Sequence, residues 1–120
     1  MHIRYTKFVS LLHLTQLNQM KKSLFEQYII AVCSLYSVSE DILFSRSKKH
    51  LVSEARHFLY YLCFNRNMRI IDIQTYMEER GYKVQHSSVI HGIQNIAARI
   101  GSDKDYRDTV VKIQDSVIIK

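Results

Sequence analysis

QHSSVIHGIQNI, Gln85 to Ile96, is the stretch on which the reading of this chain turns. It opens polar, with His86 and His91 bracketing Ser87 and Ser88, and then becomes apolar. Apolar residues three and four apart share one side of a helix, so the run predicts a helix from about His86 to Ile100. Val89, Ile93, Ile96, Ala97 and Ile100 form its inward stripe, and Gly101 is expected to stop it. Ser87, His91, Gln94, Asn95 and Ala98 fall on the opposite side. Upstream, a helix is predicted from about Arg69 to Glu79, with Ile70, Ile73 and Met77 inward. Gly81 is expected to end it, because glycine readily takes the left-handed conformation that terminates helices. The result is a helix, a glycine turn and a second helix.

Farther from the motif the pattern stays helical. Ala55, Phe58, Leu59 and Leu62 predict a helix over about Val52 to Phe64. SRSKKH, Ser45 to His50, is polar and basic and reads as the loop before it. Ser39 is suited to cap a short turn, with Glu40 and Asp41 at the positive end of its dipole. Ile42 and Leu43 are expected to pin that turn to the core. Leu24, Tyr28, Ala31, Val32 and Leu35 predict a helix over about Lys21 to Tyr36. A separate amphipathic helix is expected from Ile3 to Met20, with Tyr5, Phe8, Leu11, Leu12 and Leu14 on its apolar side. Downstream, a last helix starts near Ser102, with Asp103 and Asp105 in its first turn and Tyr106, Val110 and Ile113 inward. DSVIIK is read as a tail. With no proline and three glycines, little interrupts helices, so the expected fold is all-α. The expected organisation is an N-terminal segment over residues 1–20 and one helical domain over 21–120.

The totals narrow the function. A chain of 120 residues suits one domain with a modest core. The formal charge is +6, and residues 45–100 hold nine basic against four acidic residues, or +5 of it. The basic excess therefore surrounds the motif and favours an anionic partner. Cys33 and Cys63 each sit in an apolar run and read as free thiols in a reducing compartment. Tyr28 to Tyr36 is too short an apolar stretch to span a bilayer. Residues 1–20 lack the unbroken apolar centre of a signal peptide. The expected location is the cytoplasm, without membrane association.

Three chemistries could use the motif. His86 and His91 point about 140° apart on a helix, whereas zinc helices use four-residue spacing and a third ligand. A Ser–His catalytic pair needs an orienting acid and an oxyanion site, and neither accompanies it. No phosphate-cradling GxxxxGK[ST] loop is present, and neither cysteine has a basic neighbour to make a thiolate. The expectation is no enzyme activity, no metal and no cofactor. DNA recognition fits better, because a second helix after a tight turn enters the major groove by its N-terminal end. Hydroxyls and amides there meet base edges or phosphates. Spacing alone equally allows Ser87 or Ser88 to cap the helix while His86 packs near Ile90 and Ile93.

HSSVIHG is similar to the DHTTVLHA-type signature of the DNA-binding C-terminal domain of the bacterial replication initiator DnaA. EQYIIAVCSLYSVSEDILFSRSKKHLVSEARHFLYYL, Glu26 to Leu62, resembles that domain's opening, and SDKDYRDTVVKIQ resembles its final helix. The likeness covers about Lys21 to Gln114. It implies a compact, Trp-repressor-like helical fold that binds double-stranded DNA at short sites. By position it implies base and phosphate contacts in the major groove for His86, Ser87 and Ser88, with Gln85 and His91 beside them. Lys48, flanked by Arg46 and Lys49, matches the basic loop that reaches the adjacent minor groove. Arg56 matches a phosphate-contacting arginine, and Arg69 is a further candidate for backbone contact.

The chain also departs from the family. Gln85 stands where the family has an acidic residue, and serines replace its threonines, which should change base preference. Lysine replaces arginine at the minor-groove position and offers a point charge instead of a planar fork. EERGYKVQ is several residues longer than the family's turn. Residues before Lys21 are too few for the initiator's ATPase module, so a freestanding reader is expected, in replication or its regulation. One short recognition helix reads little sequence, so a second copy on DNA or a replication protein is the expected partner. The competing expectation is a protein-interaction module, or a mobile-element transcription regulator, that has lost recognition of the family's sites.

Overall fold

The computed structural model describes residues 2–117, with side chains from residue 16 onward. Every regular element among them is an α-helix: α1 (His2–Tyr36), α2 (Glu40–Leu43), α3 (His50–Asn65), α4 (Ile70–Glu79), α5 (His86–Ser102) and α6 (Lys104–Ser116). The all-α fold expected from the scarcity of breakers is the fold observed.

The division expected near Met20 is absent. Gln19, Met20, Lys21 and Lys22 are all good helix formers, and no proline or glycine precedes Gly81, so nothing stops α1. At about 1.5 Å per residue, its length accounts for most of the molecule's 56 Å long axis. Residues 2–20 and 21–36 thus belong to one continuous helix. The apolar stripe expected at Tyr5, Phe8, Leu11, Leu12 and Leu14 lies outside the described side chains.

Three helices end on a residue with positive φ: Ser37 (54°), Asn67 (63°) and Gly81 (86°). The backbone N–H groups that follow fold back onto the helix, as Tyr82 does to the Met77 carbonyl at 3.0 Å. At the other polarity, Ser39 Oγ accepts the Ile42 N–H at 3.3 Å and starts α2, as its position predicted.

α3 is the central helix. Its Ala55, Phe58, Leu59, Leu62 and Cys63 are fully buried. Phe25, Tyr28, Ile29 and Val32 from α1 cover one side, and Ile73 and Met77 from α4 with Val89 and Ile96 from α5 cover the rest. The four-residue stripe on α1 continues from Val32 to Tyr36, whose ring meets Phe58 edge-on at 6.0 Å. Leu35, expected inward, is consequently exposed, as are Ile42 and Ala97. Gly101 does not stop α5. The helix runs to Ser102 and gives way at Asp103, whose carboxylate accepts the Tyr106 N–H and starts α6. Tyr106, Val110 and Ile113 turn inward as expected. Part of DSVIIK is structural: Asp115 and Ser116 finish α6, and Val117 is buried, while residues 118–120 lie outside the described residues. Arg66 fixes that end, donating from Nε to the Tyr28 hydroxyl (3.0 Å) and from Nη2 to the Val117 carbonyl (3.2 Å).

Among the described residues no helix is long and apolar enough to cross a membrane. Both cysteines are free, and burial raises the pKa of each thiol, so neither is poised as a thiolate.

Candidate nucleic-acid interface

The turn between α4 and α5 is held from both sides. Gln74 on α4 donates from Nε2 to the Val84 carbonyl at 3.1 Å. Gln85 occupies the position before α5 in an extended conformation, and its side chain makes no capping bond. Neither Ser87 nor Ser88 caps the helix, and both are exposed. His86 is exposed too. The start of α5 is therefore an accessible end with no side-chain acceptor on its first N–H groups, the arrangement that suits an anion.

α5 lies against α3 at Gly92, which is buried beneath His57 and Tyr60. One residue earlier His91 is exposed, 3.2 Å from the Asn95 amide, and its ring meets the His57 ring edge-on at 6.1 Å. His57 is partly buried. Burial lowers its pKa, and the neighbouring His91 and Arg56 add to the effect, which favours the neutral ring.

The basic loop approaches from the other side. Arg46, Lys48 and Lys49 are exposed. Arg46 donates from Nη1 to the Lys83 carbonyl at 3.1 Å, and its guanidinium carbon lies 4.7 Å from the centre of the Tyr82 ring. This bond joins the loop before α3 to the turn before α5.

Arg56 corrects an expectation. It is only 4% exposed, and its guanidinium donates to three carbonyls, that of Leu43 at the end of α2 (2.7 Å) and those of Ser47 (3.0 Å) and Ser45 (2.6 Å) in the loop. A group this committed is a strut for the basic loop and not a free hand for a phosphate. Its planar fork suits the work, because each N–H aims at a different carbonyl.

Arg69 is exposed and already paired. It sits apart from the rest, at the start of α4, where its guanidinium and backbone N–H hold Asp72. The Lys21 ammonium on α1 reaches the same carboxylate at 3.1 Å. Burial works against ionising Asp72, but Arg69 and Lys21 outweigh it and hold the carboxyl at about 2. This cluster fastens α1 to α4.

Between the loop, α3, the turn and α5 lies a cleft of about 810 Å³. Its walls are Arg46, Ser53, Arg56, His57, Tyr60, Tyr82, Lys83, Val84, Gln85, Ser87, Ser88 and His91. No carboxylate lines it. Of the residues expected to bind, it gathers Arg46, Gln85, Ser87, Ser88 and His91, with Arg56 at its base. Lys48, Lys49 and His86 are exposed on the same loop and the same helix start, outside the cleft wall. Ser53, His57, Tyr60, Tyr82 and Lys83 were missed. The first three carried a signal: Ser53, Arg56, His57 and Tyr60 recur at helical spacing on α3 as a polar strip beside the apolar one. Against known proteins, no family model matches this chain, and no curated protein matches it.

Proposed function

We propose that this chain is a sequence-selective binder of double-stranded DNA. The start of α5 enters the major groove, and the loop from Arg46 to Lys49 lies on the neighbouring backbone and minor groove. The observation that carries this is the cleft: cations and hydroxyls from four chain segments line it, and no acid does. A duplex needs such a surface, because phosphate contacts fix the protein's position while exposed polar groups at a helix start meet base edges. His86, Ser87 and Ser88 are the base-reading candidates. Lys48, Lys49, Arg46 and Lys83 are the phosphate candidates, and His91 contributes from the cleft wall.

The resemblance of HSSVIHG and its flanks to the DnaA DNA-binding domain supports the same assignment, with a role in replication or its control. In this reading α4, the turn and α5 are the helix-turn-helix. The buried arginine is what keeps the basic loop in shape.

Selection from a random duplex library is the test. A converging motif of a few base pairs is expected, together with random-duplex binding in the range of about 10⁻⁴–10⁻⁶ M or tighter near physiological salt. No duplex binding at low salt would reject the proposal and favour a protein-interaction module built on the same fold.

A further inference from the structure

Gly81 and Tyr82 lie in the turn between α4 and α5. Tyr82 is partly buried against the core, and two guanidinium groups lie over its ring. The Arg46 and Arg56 carbons are each 4.7 Å from the ring centre. Arg56 holds the carbonyls of Leu43, Ser45 and Ser47, so the end of α2 and the loop that follows hang on one side chain. Arg46 reaches past the ring to the Lys83 carbonyl. The phenol ring is thus the plate against which both arginines of the loop assembly rest.

We infer that Tyr82 is a positioning residue that fixes the register between the basic loop and the start of α5, so that both engage one duplex as a single unit. This rests on the DNA-binding reading. Two binding elements held at a set distance present the second to its groove at high effective concentration once the first is seated. Elements that must be ordered on binding lose part of that gain to lost freedom. An aromatic face holding two cations supplies the order in advance. Lys48 and Lys49, which stand on the loop without touching the ring plate, gain their placement from it.

The test has one arm without DNA and one with it. The Ser47 and Lys49 amides are bonded within the loop, to Ser45 Oγ and Ser47 Oγ, and report its order through hydrogen exchange. Tyr82→Leu is expected to speed their exchange about tenfold, while Tyr82→Phe, which keeps the π-face, stays near wild type. Arg46→Met removes one stacked cation from an exposed position and should speed the same amides even if Tyr82→Leu folds poorly. In the second arm, Tyr82→Leu is expected to weaken duplex binding about tenfold, and Lys48→Ala should then cost much less than it does in wild type. Unchanged exchange in Tyr82→Leu and Arg46→Met, or an equal Lys48→Ala loss in both backgrounds, overturns the role of Tyr82. A wild-type chain that binds no duplex overturns the DNA reading instead, and the shared-duplex role falls with it.

Discussion

Gly92 is the residue on which the closeness of α5 and α3 depends. A Cβ there would lie 2.7 Å from His57 Cδ2 and 3.0 Å from His57 Cγ and Tyr60 Cδ2. Two effects oppose each other in Gly92→Ala. Helix propensity favours alanine by about 1 kcal/mol, and overpacking a tight contact costs about 1–3 kcal/mol. The clash involves ring atoms near the Cβ end of His57, which cannot swing away cheaply, so the steric cost wins. Gly92→Ala is expected to destabilise the fold by up to about 2 kcal/mol in urea unfolding, the difference of those two effects. A variant more stable than wild type would show that α5 can ride outward at no cost. The sequence displayed this glycine inside the motif, and an isolated helix glycine often marks a close packing contact. What it crosses was hidden, because His57 and Tyr60 are distant in sequence. His86 was more legible: the polar opening of the run placed it at an exposed helix start, where the structure has it. His86→Ala is expected to cost on the order of 1–3 kcal/mol at a selected site and to blur selectivity there, read by competition between selected and random duplexes.

At the level of elements, apolar periodicity revealed the inward stripes of α3, α4 and α6, because it reports which side of a helix a core will take. It revealed less where the deciding partners are non-local. Arg56 reads as a free cation until the carbonyls of Leu43, Ser45 and Ser47 converge on it. Arg69 reads likewise until the Asp72 carboxylate, which Lys21 also reaches, pairs with its guanidinium. That cluster gives the α1–α4 contact a pH dependence. The Asp72 carboxyl is depressed from 3.8 to about 2, so its stabilising contribution is complete above 3.8 and is lost as pH falls through about 2. The shift corresponds to roughly 2 kcal/mol, and the exposure of Arg69 reduces that to about 1–2 kcal/mol. Asp72→Asn keeps the size and an acceptor oxygen but not the charge. It should be less stable than wild type by about that amount near pH 6, and the two curves should converge toward pH 2. Parallel curves across the acid range would mean the cluster carries no net ionic stabilisation.

Taken across the whole molecule, the charge count from the sequence shrinks to a smaller and better-placed set. Residues 45–100 contain nine basic side chains. Five of them are already engaged by other groups of the chain. Arg56 and Arg66 hold carbonyls, Arg69 holds Asp72, Arg80 reaches Glu26 and Glu40, and Arg99 pairs with Glu54. The four that remain are Arg46, Lys48, Lys49 and Lys83, all exposed on the loop and the turn that flank the cleft, with Arg46 giving one N–H to the Lys83 carbonyl. If these four meet phosphates, counterion release sets the salt dependence. The logarithm of the duplex affinity should fall with the logarithm of salt with a slope of about −3.5, at about 0.9 per phosphate neutralised. A slope near −8 would instead mean that the internally paired arginines open to bind. Lys48→Ala should weaken every duplex alike and flatten the slope by about one unit, whereas His86→Ala should leave the slope unchanged while narrowing the gap between selected and random sites. These signatures separate positioning from reading within one titration series between 50 and 200 mM salt, roughly the span over which such contacts are usually resolved. A His86→Ala variant that changes the slope, or a Lys48→Ala variant that changes only selectivity, would reverse the assignment of the two elements.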